Sequence, residues 1–296
     1  MSYEKIFVVG GTGNIGTRTV KDLLQNESNL VTVYARSPKK VRQLFHSPPN
    51  LSVIQGDYTD VDLFEKSISG HTRLFLLVHN PELHDMAKYN TALAERAYAA
   101  GVKQIVMISG LWAAFPYRSS FIGNAAYEAE TAIAAIPNRG MFVTLRPSIF
   151  MTNHLWIEIH TIKNANTIFG TIDPDAKEPW ISTNDIGEVA ATILQDPILK
   201  HRNAVYEMIG DVKSPKERAS ILSKVLGKEI TYTQIADQER YEYLTKEVAM
   251  EHIKAYDMLL QPWSSETKVS PGFSILLGRQ PEGLENWFEK NKAAFL

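Results

Sequence analysis

The sequence contains no cysteine among its 296 residues. This excludes disulfides, thiolate metal sites, iron–sulfur clusters and cysteine nucleophiles, so any redox chemistry needs a bound cofactor. Long apolar runs are also missing: residues 74–78 form one of the longest, far short of the about 20 residues that span a bilayer. Lysine plus arginine (31) nearly balance aspartate plus glutamate (33), a formal charge of −2. Without a basic excess, we expect neither a nucleic-acid nor a membrane partner.

What is present is typical of a soluble globular protein: 44% of the residues are hydrophobic and 22% are charged. The first residues lead directly into the strand-like residues 6–9, which leaves no room for a signal peptide. We therefore expect a cytoplasmic protein.

Short β-branched runs alternate with longer amphipathic stretches in the first half of the chain. Such alternation, with continuous apolar strands, is typical of an α/β fold with a doubly wound parallel sheet of the Rossmann type. The predicted strands are residues 5–9, 30–35, 51–54, 73–78, 104–108 and 141–146, and the predicted helices are residues 14–25, 38–46, 60–67, 83–100 and 123–136.

After Pro147 the pattern becomes irregular, which predicts a smaller α+β region interleaved with the first. We assign residues 1–150 to cofactor binding and residues 151–296 to substrate binding. In the second region we expect strands at 167–171, 205–209 and 230–234, helices starting near 183 and 214, a long helix over 237–260, a loop over 261–278 and a final helix after Pro281.

A glycine-rich turn follows the first predicted strand and begins the first helix. Gly10, Gly13 and Gly16 have the spacing at which glycines permit a tight turn and close approach of the backbone to a pyrophosphate, while free N–H groups at the helix start bind the anion. We therefore predict dinucleotide contacts from this turn. The residues assigned to them are Gly10, Thr12, Gly13, Asn14, Ile15 and Gly16.

Arg36 ends the second strand, 20 residues past Gly16, and no acidic residue occurs from position 30 to 40. A carboxylate there would favour the free ribose of NAD, whereas a guanidinium suits a ribose 2′-phosphate. Together with Ser37 and Lys39, Arg36 predicts NADP(H) as the cofactor. The alternative is a solvated basic turn.

Three further cofactor contacts are expected where the third and fourth strands end. Asp57 and Tyr58 follow the third strand, and the alternative for Asp57 is a structural turn before the next helix. His79 follows the fourth strand, and its alternative is a wall residue without acid or base function.

Ser109 ends the fifth strand, and Tyr127 follows eighteen residues later. This pair is similar to the Ser…Tyr-x-x-x-Lys site of short-chain dehydrogenases, but the lysine position holds Thr131, and residues 104–162 contain no lysine. A phenol ionises near pH 10, so without a cation we do not expect the usual proton shuttle. Ser109, Tyr127 and Glu130 are the candidate catalytic residues. Glu130 has the alternative of a structural partner for Arg146 or another cation.

His154 and Glu158 share a helical face but His160 does not, so we expect no metal. Aromatic residues are candidates for the walls of an apolar substrate pocket, each with a plain core role as its alternative. These candidates are Phe115, Tyr117, Phe150, Trp156 and Trp180.

The glycine turn, Arg36, residues 56–57 and 109–110, Glu130, and residues 144–150 and 180–187 together resemble the NmrA-like branch of the atypical short-chain dehydrogenase superfamily. The resemblance implies either of two functions. One is an NADPH-dependent reductase of a small electron-poor acceptor such as a quinone, an iminium or a conjugated carbonyl. The other is a non-catalytic NADP(H) sensor, which would add a protein partner.

Overall fold

The computed structural model describes residues 4–78, 85–260 and 266–296. The strands are β1 (Glu4–Val9), β2 (Asn29–Ala35), β3 (Leu51–Gln55), β4 (Arg73–Leu76), β5 (Gln104–Ile108), β6 (Met141–Pro147), β7 (Ile149–Phe150), β8 (Thr167–Gly170), β9 (Glu178–Ile181), β10 (Val205–Met208), β11 (Asp211–Lys213) and β12 (Thr231–Gln234).

The α-helices alternate with the first six strands and then follow a less regular order. They are α1 (Asn14–Leu24), α2 (Pro38–Phe45), α3 (Val61–Ile68), α4 (Met86–Ala99), α5 (Phe121–Ala134), α6 (Ile159–Ala165), α7 (Thr183–Gln195), α8 (Ile198–His201), α9 (Pro215–Leu226), α10 (Asp237–Lys246), α11 (His252–Asp257), α12 (Phe273–Leu277) and α13 (Leu284–Phe295). Among the described residues, no helix has both the length and the apolar character needed to cross a bilayer.

A seven-stranded sheet with the order β10-β6-β5-β4-β1-β2-β3 forms the centre of the fold. From β6 through β3, each neighbouring pair is parallel. The order reverses between β1 and β4, where doubly wound sheets bind their ligands at the carboxyl edge. The predicted α/β fold with a doubly wound Rossmann-type sheet is confirmed. The sheet also takes in β10, which comes from the irregular half of the chain.

Contacts divide the chain into two interleaved units. Unit 1 comprises Met1–Phe115, Gly123–Arg146 and Ile186–Glu207, and unit 2 comprises Pro116–Ile122, Pro147–Asp185 and Met208–Leu296. Residues 186–207, which we assigned by sequence to the second region, therefore pack within unit 1. The functional roles of residues 1–150 and 151–296 stay predictions.

The core of unit 1 forms because the strands are apolar on both faces. Phe7, Leu74 and Ile105 from neighbouring strands are fully buried and pack with Phe64 of α3 and Leu93 of α4. Local signals begin the helices: the Ser37 hydroxyl accepts from the Lys40 N–H at the start of α2 and is followed by a proline, as expected for an N-cap.

Unit 2 contains a three-stranded sheet of order β11-β9-β7 and a parallel pair of β8 and β12. Its last helix, α13, is fastened by two buried carboxylates. Asp211 accepts from the Leu284 N–H at 2.8 Å, and Asp185 accepts from the Glu282 N–H at 2.7 Å. Trp287 on this helix is only 4% exposed.

Two predictions for unit 2 are wrong. The long helix over 237–260 is two helices, α10 and α11, and Ala249 between them has a left-handed backbone with φ of 56°. The break allows both Leu244 and Ala255 to be buried against Ile157. The predicted loop over 261–278 contains α12, whose Phe273 is only 2% exposed.

Candidate functional site

Two glycines of the turn after β1 are required by the fold itself. Gly10 has φ of +83°, and a Cβ there would lie 2.4 Å from the carbonyl oxygen of Leu77. A Cβ on Gly16 would lie 2.2 Å from the carbonyl oxygen of Gly10. Because such contacts are far inside van der Waals distance, no other residue fits without moving backbone.

Gly13 differs, because a Cβ there would meet only the Gly10 carbonyl oxygen, at an ordinary 3.6 Å. The residue is exposed and occupies the N-cap position of α1, where no side chain accepts a hydrogen bond from the helix. The first N–H groups of a helix have no partner within it, and α1 has no acidic residue in its first turn. The turn is therefore open and uncapped, which fits a phosphate group.

The other residues assigned to this turn divide by exposure. The side chain of Asn14 is exposed and that of Thr12 is partly exposed. Ile15 is only 4% exposed and faces the core. Ile15 can therefore contact an anion through its backbone N–H and not through its side chain.

A basic group lies where β2 ends. The side chain of Arg36 is 84% exposed, and its Nε lies 3.6 Å from Oδ2 of Asp57. Lys39 and Lys40 are exposed in the first turn of α2, which contains no acidic residue. The arrangement presents positive charge to solvent at the carboxyl edge of the sheet.

Asp57 has the structural role that we kept as its alternative. Its Oδ1 accepts from the N–H and the hydroxyl of Thr59 at 3.0 and 2.9 Å, which forms a turn before α3. Tyr58 packs edge-to-face on Tyr89, and burial raises its pKa. Their contacts with a cofactor stay predictions, and His79 lies outside the described residues.

Ser109, Glu130 and Arg146 form one hydrogen-bonded group in unit 1. The Ser109 hydroxyl donates to Oε1 of Glu130 at 2.5 Å, and Arg146 donates to both oxygens of Glu130, with Nη2 to Oε2 at 2.6 Å. These bonds to Glu130, opposed by burial, raise the pKa of Arg146. Glu130 is thus the partner of Arg146, the alternative we gave for it, and it also contacts Ser109.

Tyr127 lies on α5 with its side chain 44% exposed. Glu128, the next residue, is exposed and accepts from Asn124 at 2.8 Å. The structure therefore separates the two glutamates of α5, one in a buried pair and one at the surface. A catalytic role for Tyr127 stays a prediction.

The aromatic candidates are spread over both units. Phe115 is half-buried against Trp112 in unit 1. In unit 2, Phe150 is half-buried, whereas Tyr117 is 70% and Trp156 49% exposed. Their contacts with a substrate stay predictions.

Trp180 has the packing of a core residue, the alternative that we kept for it. It is 4% exposed, stacks on His154 with 4.5 Å between ring centroids, and lies under the guanidinium of Arg218 at 4.7 Å. Its ring packs within unit 2, and its contact with a substrate stays a prediction.

A buried charge cluster surrounds Trp180, and the sequence analysis missed most of it. We define the unit 2 cluster as His154, Glu158, Glu178 and Arg218. Arg218 lies 3.1 Å from Oε1 of Glu158 and 2.9 Å from Oε2 of Glu178, and His154 Nδ1 contacts Glu158 Oε2. The missed signal was a charge at position 218 on the otherwise apolar face of α9.

Burial and charge shift the pKa values of the unit 2 cluster in opposite directions. Burial lowers the pKa of His154 and raises that of Glu178. Burial would also raise the pKa of Glu158, but Arg218 and His154 hold it well below its ordinary value. Among the residues that the structure describes, no group of three or more candidate ligands has the arrangement of a metal site.

The doubly wound sheet and the open glycine turn at its carboxyl edge define an α/β protein of the Rossmann class. The sequence profile of the NmrA-like family matches residues 2–273. The chain belongs to the NmrA-like family.

Known proteins with a similar sequence or fold include reductases and a regulator. An NAD(P)H azoreductase of Xenophilus azovorans is 29% identical over 241 residues, which cover 81% of this chain and 80% of the azoreductase. The fold is similar to that of the NADPH-dependent quinone oxidoreductase of Escherichia coli complexed with NADPH (TM-score 0.80, 21% identity, 97% and 99% of the two chains). It is also similar to NmrA, a negative transcriptional regulator, in complex with NADP (TM-score 0.76, 16% identity, 100% and 99%).

Proposed function

We propose that the protein binds NADP(H) at the carboxyl edge of the central sheet and reduces a small electron-poor acceptor. The observation that carries the proposal is the turn at Gly13, which is open and uncapped and which no contact with the described residues requires to be glycine. Gly10 and Gly16 have to be glycine because a Cβ would collide with nearby backbone, whereas Gly13 does not. The close approach of a pyrophosphate to the backbone would explain why position 13 is also glycine.

Arg36 supports NADP(H) over NAD(H). An exposed guanidinium whose contact with Asp57 is loose, at 3.6 Å, can turn to a 2′-phosphate and bind it with charge-assisted hydrogen bonds. Ser37 and Lys39 lie beside it at the start of α2. Asp57, already bonded to Thr59, would hold the strand end in place beneath the nucleotide.

NADPH bound there would supply a hydride to the acceptor. The protein's own task is then to orient the acceptor and to exclude water, because proximity and orientation contribute much of the rate. Thr131 occupies the lysine position four residues after Tyr127, and residues 104–162 contain no lysine, so the chain lacks the Tyr-x-x-x-Lys arrangement that conventionally delivers a proton. An iminium needs no proton when it becomes an amine, and the oxyanion of a reduced quinone takes its proton from water.

These requirements favour quinones, iminium ions and conjugated carbonyls over simple ketones. Ser109 and Tyr127 are the residues that would orient such an acceptor. Phe115, Tyr117, Phe150 and Trp156 remain candidates for its apolar contacts. The similarity to an NAD(P)H azoreductase and to a quinone oxidoreductase supports the reductase class.

The second candidate is a non-catalytic NADP(H) sensor that meets a protein partner. The missing lysine favours it, since residues 104–162 contain none. The similarity in fold to a negative transcriptional regulator in complex with NADP also supports it.

Stereospecific oxidation of NADPH separates the two candidates. Purified protein is given NADPH deuterated on one face of C4, with a panel of quinones and iminium ions, and the NADP⁺ formed is analysed for retained deuterium. A reductase transfers deuterium from one face only, above the rate without protein. Tight NADPH binding with no acceptor reduced would instead support the sensor, and Gly13→Val serves as the binding-deficient control.

A further inference from the structure

The hydroxyl hydrogen of Ser109 is already committed within the protein. Ser109 Oγ lies 2.5 Å from Oε1 of Glu130. An ionised carboxylate accepts hydrogen bonds and donates none, whereas a serine hydroxyl has a single hydrogen and two lone pairs. The hydroxyl must therefore be the donor in this pair.

Arg146 is the charge partner of Glu130. The guanidinium contacts both carboxylate oxygens, with Nε to Oε1 at 3.0 Å and Nη2 to Oε2 at 2.6 Å. The residue Glu130 is 8% exposed and the Arg146 side chain is 17% exposed. In this partly buried bidentate pair, the carboxylate is the counter-charge of the arginine and both of its oxygens accept hydrogen bonds.

Ser109 also lies where a ligand of this sheet would bind. It directly follows β5 and is half-buried, at the same carboxyl edge as the glycine turn that follows β1. Only β4 separates these two strands in the sheet. The lone pairs of Ser109 are thus the part of its hydroxyl that remains for a ligand.

We propose that Ser109 is an obligate hydrogen-bond acceptor, set by the Glu130–Arg146 pair, and that it selects ligands that present an N–H or O–H group. The inference rests on the proposed function and narrows it. A protonated imine can donate its N–H to the Ser109 oxygen. A quinone oxygen can only accept a hydrogen bond, and the Ser109 hydrogen is already donated to Glu130. The preferred substrate, which accepts the hydride, is therefore a protonated imine.

Three bicyclic probes of similar size test the inference. Protonated 3,4-dihydroisoquinoline has a positive charge and an N–H hydrogen-bond donor. Its N-methyl iminium has the same charge but no hydrogen-bond donor, and 1,4-naphthoquinone has only hydrogen-bond acceptors. For the wild type we expect the N–H probe to be favoured over the N-methyl probe by about three- to tenfold, the effect of one hydrogen bond. This ratio is measured both as kcat/KM and as dissociation constants from fluorescence titration without NADPH.

Two substitutions should change the ratio in different ways. Ser109→Ala removes the acceptor, so the N–H preference should be lost. Glu130→Gln keeps an oxygen for Arg146 but places an amide donor against Ser109, which releases the serine hydrogen toward the ligand. We expect this variant to lose the N–H preference and to gain about three- to tenfold on naphthoquinone relative to the N-methyl probe.

Glu128→Gln is the matched control, because Glu128 lies on the same helix at the surface and should leave the ratios unchanged. Unchanged ratios in Ser109→Ala would overturn the inference, whatever the activity. If Glu130→Gln does not fold, Ser109→Ala still decides. Failure of every probe to oxidise NADPH would reject the reductase function, while the binding ratios would still test Ser109.

Discussion

The glycine turn of unit 1 and the unit 2 cluster treat polar groups in opposite ways. At the turn, Gly13 and Asn14 are exposed, the start of α1 has no cap, and Arg36 is 84% exposed. In the unit 2 cluster, the side chains of His154 and Arg218 are 0% and 4% exposed and are paired with buried carboxylates. The first region leaves its charged and polar groups exposed, whereas the second pairs its charges with one another inside the protein.

The difference separates binding from architecture. Buried charges are tolerated only when they are paired, and removing one partner is far worse than never having had the pair. Exposed donors can be left unpaired because water satisfies them until a ligand arrives. Mutations in the unit 2 cluster should therefore act on stability, and mutations at the turn on ligand affinity.

The largest effect is expected from Arg218→Met, which leaves Glu158 and Glu178 buried without their cation. The free energy of unfolding should fall by about 3–5 kcal/mol, as measured by urea denaturation. The control is Lys177→Ala, which breaks a 2.7 Å pair with Glu217 between partly exposed side chains and should change stability by about 1 kcal/mol at most. Equal effects of the two substitutions would remove the contrast between buried and exposed pairs.

Gly13→Val should abolish cofactor binding without unfolding the protein. The Cβ has room within the protein, but a side chain would occupy the space of a pyrophosphate. We expect a loss of NADPH affinity of about a hundredfold or more, near 2.8 kcal/mol, with an unchanged circular dichroism spectrum. Gly16→Ala is the counterpart, because its Cβ would lie 2.2 Å from a carbonyl oxygen, and it should lose stability as well. Normal NADPH affinity in Gly13→Val would reject the site.

Arg36→Glu should reverse the choice between the two nicotinamide cofactors. Charge-assisted hydrogen bonds to the 2′-phosphate contribute about 1.5–3 kcal/mol, so the preference for NADPH should fall by roughly 10- to 150-fold. Calorimetric titration with NADPH and NADH measures it. Lys21→Glu on α1 is a charge-matched control away from the end of β2. If Arg36→Glu changed the preference for NADPH no more than this control does, the assignment of Arg36 to the 2′-phosphate would be wrong.

The unit 2 cluster should also make stability depend on pH. Burial lowers the pKa of His154 below its ordinary 6.5. As the pH falls below 6.5, this histidine therefore binds a proton in the unfolded chain while it stays neutral in the folded protein. The free energy of unfolding therefore keeps its full value above pH 6.5. At lower pH it decreases by about 1.4 kcal/mol per pH unit for one proton. Denaturation midpoints from pH 8 to 5.5 should show a shallower fall in His154→Gln. The exposed His160→Gln is the control, and identical slopes in all three proteins would contradict the prediction.

The smallest effect is expected at Tyr127, whose hydroxyl only orients the acceptor under our proposal. Loss of one such hydrogen bond in Tyr127→Phe should slow single-turnover NADPH oxidation by about three- to tenfold, since a hydrogen bond contributes about 0.5–1.5 kcal/mol. Removal of a true acid or base reduces rates by about 10²–10⁴. The variant is assayed with an iminium and with a quinone, and a thousandfold loss on both would show that Tyr127 is essential.

The first half of the chain was predictable because its signals are local. The apolar strands, the caps such as Ser37 and the glycine spacing each specify structure within a few residues, so the sheet and the turn followed from the sequence. The second half depended on contacts between distant residues. Residues 237–260 have helical periodicity throughout, but the burial of Leu244 and Ala255 against Ile157 required a break that no local signal indicated.

The candidate site divides in the same way. The sequence brought Ser109, Tyr127 and Glu130 into consideration through their positions at a strand end and on one helix. It left open whether Glu130 pairs with Arg146, because that depends on the approach of α5 to β6. It also left open whether Trp180 packs in the core, which its contacts with His154 and Arg218 show.

By itself, the sequence determined the fold class, the glycine turn and the basic end of β2, since backbone conformation and apolar periodicity act over short distances. Only the tertiary structure decided which charges are buried and which face solvent. The reason is physical: a charged side chain is the same chemical group in both settings, and its role depends on whether partners from distant segments replace the water it has lost. Arg36 and Arg218 differ in this respect alone, and the fold makes one available to a ligand and the other part of the core.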